Sequence, residues 1–403
     1  MKRFGWLLVL VLAAAPAWSA KKITVQELKD TLASMHQQNK TDADVSAALK
    51  QVELSEQLTL NTMNSLSGDV PGPLSTEQIY VLEARSAMLP PPAADLPSTP
   101  APDAAAQKAM LDKTADYVGK TVDQLPALTA TRTTLRFQDN VEAVAASSGM
   151  HGSATDVSTG SGVGSVNAFQ FIHYINSTEA PVVSEHGAEK PPSEKDKTPW
   201  GANRMIALQE PDPSLGIVFK EAQAFGNLTW LRWEMVNAKP AAVYSFSIPK
   251  KKAHFAVNVC CFPDVEQAGT AHFTSASGFG AGQPGGSPGA SGGAKGNFQT
   301  NTDWHDFKSN VPYHGEFFID PDTGIVVRMI VEAELKPSEV VHQQDTRIDY
   351  GPVTVGGKMM VLPMKTVIDT EVVPNGDSGV GGYTTRRTLF TSEYKNYQLG
   401  GAK

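Results

Sequence analysis

The residues best able to do chemistry in this 403-residue chain are nine histidines, two cysteines and a scatter of carboxylates. Two His–carboxylate neighbourhoods are His305, flanked by Asp303 and Asp306, and His314, two residues before Glu316. On a strand, positions two apart project from one face, so His314 and Glu316 could form two ligands of a metal edge or the acid–base pair of a hydrolase. Completing a metal site at His305, His314 and Glu316 would require a further ligand such as His342 or His254 to converge in space. No histidine pair has the spacing of a zinc motif, and solvated or hydrogen-bonded histidines are the reading preferred here. Asp320 and Asp322 fall in a five-residue loop without the twelfth-position ligand of a calcium loop, and they read as a tight turn. Paired carboxylates for glycoside chemistry cannot be picked out, because Asp and Glu fall mostly on wet faces or in turns.

Several motif matches are literal only. Gly280-x-Gly282-x-x-Gly285 copies the dinucleotide fingerprint, and Gly285-x-Ser287-x-Gly289 and Gly289-x-Ser291-x-Gly293 copy the nucleophile elbow. All lie in one glycine-rich loop, with neither the preceding strand nor the following helix that would aim them at a ligand. Ser247-x-x-Lys250 ends a strand at Pro249 instead of opening a helix. No cofactor is indicated. Cys260 and Cys261 are adjacent; their Cα atoms stand about 3.8 Å apart, whereas a bridge prefers about 5.5 Å. Two free buried thiols are therefore expected over a vicinal disulfide.

The aromatic residues point elsewhere. Trp230, Trp233, Tyr244, Phe246, Phe255, Phe317 and Phe318 crowd one stretch of strands. A curved sheet with so many large side chains on one face either packs on a helix as ordinary core or lines an apolar cavity. In the second case Trp233, Phe246 and Met329, dry positions on three different strands, would contact an apolar ligand.

The elements that must position these groups divide by period. Residues 20–90 are helical in pattern. Thr24-x-x-Glu27 is a capping box followed by Leu28, Leu32 and Met35; further helices are expected from Asp42, from Ser55 to Leu66, and from Ser75, with Gln78 answering the cap. Residues 91–103 form a Pro-rich linker, and 104–128 carry a connecting helix. From Thr129 to residue 400 the period becomes 2, which predicts antiparallel strands with one dry and one wet face. Leu231, Trp233 and Met235 are expected on the dry side, and Arg232 and Glu234 on the wet side. Asn237-Ala238, Pro249 to Lys252, Asp320 to Gly324 and Gly356-Gly357 supply the turns. A helix beginning at Asp212-Pro213 interrupts the strands. The Gly-rich loop 275–297 and the Pro-, Glu- and Lys-rich residues 177–199 are expected to be mobile.

Lys2-Arg3, an apolar run from Phe4 to Ala15 and the small-residue exit Ala17-Trp18-Ser19 have the layout of a secretory signal peptide over residues 1–19. The run is too short to span a bilayer, so an exported protein, periplasmic or extracellular and without a transmembrane anchor, is expected. Charged residues are only 19% and net charge is −8; removing Lys2 and Arg3 leaves 32 basic against 42 acidic residues, or −10. That balance argues against nucleic acid and anionic membrane surfaces as partners.

The segment Tyr313-His-Gly-Glu-Phe-Phe-Ile-Asp-Pro-Asp-Thr-Gly-Ile-Val-Val-Arg328, with the later Ile348-Asp-Tyr350 and Val361-Leu-Pro363 strands, resembles a group of uncharacterised exported bacterial proteins. Its strand, Asp-Pro-x-Thr-Gly turn and Arg-ended strand also resemble hairpins of the lipoprotein-carrier-like half-barrels. That resemblance implies a curved antiparallel sheet wrapped on a helix, binding lipid or acyl chains in the envelope; it assigns no site residue. The fold class expected is α+β: an N-terminal helical region, then a large curved antiparallel sheet, an open half-barrel, with one or two packed helices. The function expected is non-catalytic binding of an apolar ligand or lipoprotein in the cell envelope. The alternatives are an exported metal- or acid-base-dependent hydrolase, and a structural interaction protein that meets a protein partner through residues 23–90.

Overall fold

The computed structural model describes residues 21–139, 172–190, 213–263, 304–336, 339–372 and 386–400. The expected signal peptide and the Gly-rich loop 275–297 lie outside these residues.

The chain begins with a short strand, β1 (Lys21–Ile23), and two helices, α1 (Val25–Gln37) and α2 (Asp42–Leu49). Both helices open on reciprocal capping boxes, Thr24 with Glu27 and Thr41 with Asp44, which satisfy first-turn N–H groups that no helical carbonyl can reach. β2 (Val52–Leu54) pairs in parallel with β1. The helix expected from Ser55 is confined to α3 (Leu60–Ser65), capped by Thr59. α4 (Pro73–Arg85) starts earlier than its sequence suggests, with Gly72 at the cap position and Pro73 in the first turn. Ser75 is not the cap. The Asp42 carboxylate takes that role from another helix, accepting the N–H of Leu74 at 3.0 Å and of Ser75 at 2.8 Å. Gly72 permits this approach, since a Cβ there would meet the Asp42 carboxylate at 2.6 Å. α5 (Ala104–Lys120) is capped by Asp103.

Ten strands then form one open antiparallel sheet. They are β3 (Leu128–Gln138), β4 (His173–Glu185), β5 (Ala188–Glu189), β6 (Thr229–Val236), β7 (Lys239–Ile248), β10 (Tyr313–Ile319), β11 (Val326–Ala333), β12 (Val341–Val355), β13 (Lys358–Val372) and β14 (Arg386–Leu399), in the spatial order β5-β4-β3-β14-β13-β12-β11-β10-β7-β6. The sheet does not close into a barrel. β8 (Ala256–Pro263) and β9 (Trp304–Asn310) make a separate two-stranded ribbon, and α6 (Leu215–Phe225) precedes β6. Turn chemistry follows the sequence. Gly356 and Gly357 (φ +57° and +77°) join β12 to β13, and Asn237 and Ala238 (φ +50° and +62°) join β6 to β7. Asp320 accepts the N–H groups of Asp322 and Thr323 in the turn that ends at Gly324. Pro249 to Lys252 differ: they lead to the ribbon and do not close a hairpin, because β7 pairs with β6 and β10. Residues 177–185 also differ, running as β4 beside β3; their backbone groups gain ladder partners that composition does not register.

Both faces of the sheet are covered. The inner face carries α5 and α6 and, farther along, the β8–β9 ribbon over Val341, Ile368, Val372 and Phe390. Phe246 stacks on Phe317 with ring centroids 4.6 Å apart, and Phe219 of α6 meets Phe317 edge-on at 5.3 Å. Phe246 lies over Gly315, where a Cβ would fall 2.9 Å from its ring. The outer face is met by α4, whose Val81 and Ala84, with Ala87 just beyond, pack on Phe137, Val367 and Leu389. The helical front region is thus a layer seated on the sheet.

Candidate functional site

The outer face carries a chain of ion pairs that links β6, β10, β11 and β12. On β6 the expected alternation is reversed: Glu234 is buried, while Leu231 and Met235 are exposed. β6 is one of the sheet's two edge strands, and its Arg232 and Glu234 turn inward to an ion-pair chain. The Arg232 guanidinium reaches Glu316 with two donors at 2.8 and 2.9 Å, and Glu234 with two more at 2.8 and 3.0 Å. Arg328 donates to Glu234 and Asp349, and Arg347 donates to Asp349 and to the Ala87 carbonyl at 3.1 Å. Phe318 lies beneath both Arg232 and Arg328, with the cations 5.9 and 5.1 Å from its ring centroid. Burial would raise the Asp349 carboxyl, but Arg328 and Arg347 outweigh it and hold the group well below the usual carboxylate range.

His314 and Glu316 do share one face of β10, yet they serve different partners. Glu316 is held in the Arg232 fork. His314 Nε2 meets Glu332 at 2.9 Å and Nδ1 meets Glu334 at 3.4 Å; the hydrogen bond to Glu332 raises the imidazole above its ordinary value. His305 lies on β9, and its side chain is outside the described residues, as are those of Cys260 and Cys261. His254 pairs instead with buried Glu221, which also accepts the Tyr313 hydroxyl at 2.7 Å. Among the described residues no group of three His, Cys, Asp or Glu side chains is arranged to hold a metal ion.

The three proposed ligand contacts also separate. Phe246 and Met329 are nearly solvent-free in the inner core. Trp233 sits half-buried at the edge, edge-on to Trp230 at 5.0 Å, with its Nε1 donating to the Pro100 carbonyl at 2.9 Å. The Pro-rich segment is anchored there.

An apolar crevice opens elsewhere on the inner face, at the end where β3, β4, β12, β13 and β14 extend past α6. Leu128 and Ala130 of β3, Leu215 of α6, Tyr350 of β12, Leu362 of β13 and Tyr394 of β14 are among its walls. None of Trp233, Phe246 and Met329 lines it. Its free volume is about 50 Å³, room for the end of an apolar group and not for a whole acyl chain. The rim is positioned by backbone turns. His186 and Gly187 (φ +51° and +72°) fold β5 back on β4, and His186 Nδ1 lies 3.0 Å from the Asp123 carbonyl. Polar groups gather at one side, where Glu189 takes Arg132 at 2.5 Å and the Tyr394 hydroxyl at 3.3 Å. The Tyr397 hydroxyl donates to the Pro363 carbonyl at 2.7 Å and so presents its ring to the cleft. An apolar slot with a few oriented polar groups is the usual chemistry of a small-ligand site. No sequence motif marks it, because its walls come from six separate stretches of the chain.

No family model and no curated protein matches the chain. Among solved structures, the chain is similar to one from the complex of Pseudomonas aeruginosa MucA/MucB, at 10% identity over 74% of this chain and 100% of that one. The TM-score is 0.19, too low to carry an argument. Among the described residues no helix is long and apolar enough to cross a membrane.

Proposed function

We propose that the protein is an exported, non-catalytic binding protein of the cell envelope, whose ligand inserts an apolar group into the crevice between β3, β4, β12, β13 and β14. The observation that carries the reading is the crevice itself: an aliphatic and tyrosine-lined slot on a sheet face that is otherwise covered by α5, α6 and the β8–β9 ribbon. The resemblance to lipoprotein-carrier-like half-barrels supports the same class of ligand, an acyl chain or the lipid-modified end of an envelope lipoprotein. The free volume restricts what enters to a chain terminus unless the rim moves. Phe246 and Met329, in this reading, hold the sheet that forms the slot and do not touch the ligand.

Titration with a fluorescent fatty-acid probe tests this. Val182 is half-buried on the crevice wall, so Val182→Trp narrows the slot from its solvent side. Saturable binding in the wild type, weakened about tenfold or more in Val182→Trp with an unchanged melting temperature, is the expected result. A wild-type protein that binds no apolar probe would remove the reading.

A further inference from the structure

On the opposite side of the sheet from the crevice, a groove of about 140 Å³ runs along the seam between the front layer and the main sheet. Lys22 of β1, Arg85 of α4 and Arg387 of β14 enter it from three separate elements. Leu54 and Leu82 make an apolar floor. Glu53, which pairs with Lys22 in the β1–β2 register, is the one carboxylate in the lining and is taken by Arg85 Nη2.

The donors are not used up by these contacts. Arg85 spends one nitrogen on Glu53, and among the described residues its Nε and Nη1 meet no acceptor. Arg387 turns Nε and Nη2 onto Asp369, and among the described residues its Nη1 meets no acceptor. None of the remaining nitrogens is a sealed, orphaned atom, and both residues line the groove. Both guanidinium groups are largely buried, with side chains 18% and 21% exposed. Burial, and then the nearness of Arg387, pulls Arg85 below its ordinary value. Two guanidinium groups drawn into one partly desolvated groove repel each other, and an anion between them would reverse the sign of that interaction. Arginine forks match the tetrahedral oxygens of phosphate, and Lys22 adds a point charge at the mouth.

We propose that the groove of Lys22, Arg85 and Arg387 binds a phosphate group. Glu53 and Asp369 already answer Arg85 and Arg387, so the oxyanion would be held by Lys22 and by the guanidinium N–H donors those carboxylates leave free. The apolar floor admits a phosphate that carries a short stem. Because β1, α4 and β14 all contribute, an occupied groove ties the front layer to the sheet. The site is separate from the apolar crevice, and its success or failure does not depend on that reading.

Melting of the full chain in inorganic phosphate, against chloride at the same ionic strength, tests the proposal. Phosphate is expected to raise the midpoint saturably where chloride does not, and Arg85→Gln to weaken the apparent affinity about tenfold or more. A shift that chloride reproduces, or wild-type affinity in Arg85→Gln, overturns it. Should Arg85→Gln fail to fold, exposed Lys22→Gln keeps the question open to measurement. It should melt normally in chloride and lose about threefold to tenfold in phosphate affinity, and unchanged affinity in that variant overturns the proposal. Co-sedimentation with phosphatidylcholine vesicles carrying a minor fraction of phosphatidic acid separates the sources. Vesicle binding that free phosphate displaces identifies a lipid headgroup, and phosphate binding without vesicle binding identifies a free phosphate. Vesicle binding that phosphate cannot displace and Arg85→Gln does not weaken counts against the groove.

Discussion

Asp345 stands directly opposite Asp369 across the β12–β13 pair, and Glu332 stands opposite Asp345 on its other side. Three carboxyl groups thus occupy one lateral row of the outer face, with His314 next in line opposite Glu332. Arg387 grips Asp369, while among the described residues the Asp345 carboxylate accepts a side-chain hydrogen bond only from the Gln343 amide, at 2.5 Å. Like charges at opposed positions destabilise a sheet. Burial, followed by Glu332 and Asp369, pushes the Asp345 carboxyl up to about 7.

This row makes stability depend on pH. A group whose folded pKa lies above its unfolded value stabilises fully below the unfolded pKa and loses that contribution as pH rises through the folded one. Asp345 therefore favours the fold near about pH 4 and stops doing so above about pH 7. His314, also raised, moves in the same direction. The charged groups facing Asp345 are Glu332, Asp369 and, through Asp369, Arg387. Asp345→Asn should gain about 1–3 kcal/mol over the wild type at about pH 8 and little at about pH 5. Urea denaturation of both proteins at the two pH values measures it, and parallel profiles would show that Asp345 is not the titrating group.

Asp349 carries the opposite sign. Its folded pKa is depressed, so its contribution is present above the ordinary carboxylate range and fades as pH falls toward the folded value. Asp349→Asn leaves Arg328 and Arg347 without their shared carboxylate and should cost about 3–5 kcal/mol at neutral pH. The loss should narrow in acid, which denaturant midpoints at neutral and acid pH would show.

Phe246→Ala should destabilise by about 3–5 kcal/mol, because its ring fills the space between Phe317, Tyr313 and Gly315. Binding of an apolar probe by the fraction that remains folded should persist, since Phe246 lies outside the crevice. Loss of binding without loss of stability would return Phe246 to the ligand site.

Gly315→Ala tests the same contact from the backbone side. The added methyl group would fall 2.0 Å from the Ile330 carbonyl oxygen, on the adjacent strand. Backbone cannot yield as a side-chain tip can, so a loss of about 3 kcal/mol or more is expected. A soluble variant with the wild-type melting temperature would contradict this local geometry.

The sequence by itself determined the features that depend on residues three or four apart. The capping box of Thr24 and Glu27, the Asp320 to Gly324 turn and the Gly356-Gly357 hairpin are written in local hydrogen bonds and permitted φ values, and each stands where its residues place it. Strand alternation and a helix before β6 predicted the α+β class for the same reason. Only tertiary structure decided that Asp42, and not Ser75, caps α4, and that the polar side of β6 is its buried side. Hydrophobicity alone reads Arg232 and Glu234 as wet; Glu316 and Arg328, contributed by two other strands, neutralise them inside. The crevice and the cationic groove belong to the same category. Their walls come from segments far apart in the chain, and the register of a ten-stranded sheet, unlike a turn, is set by packing on both faces at once.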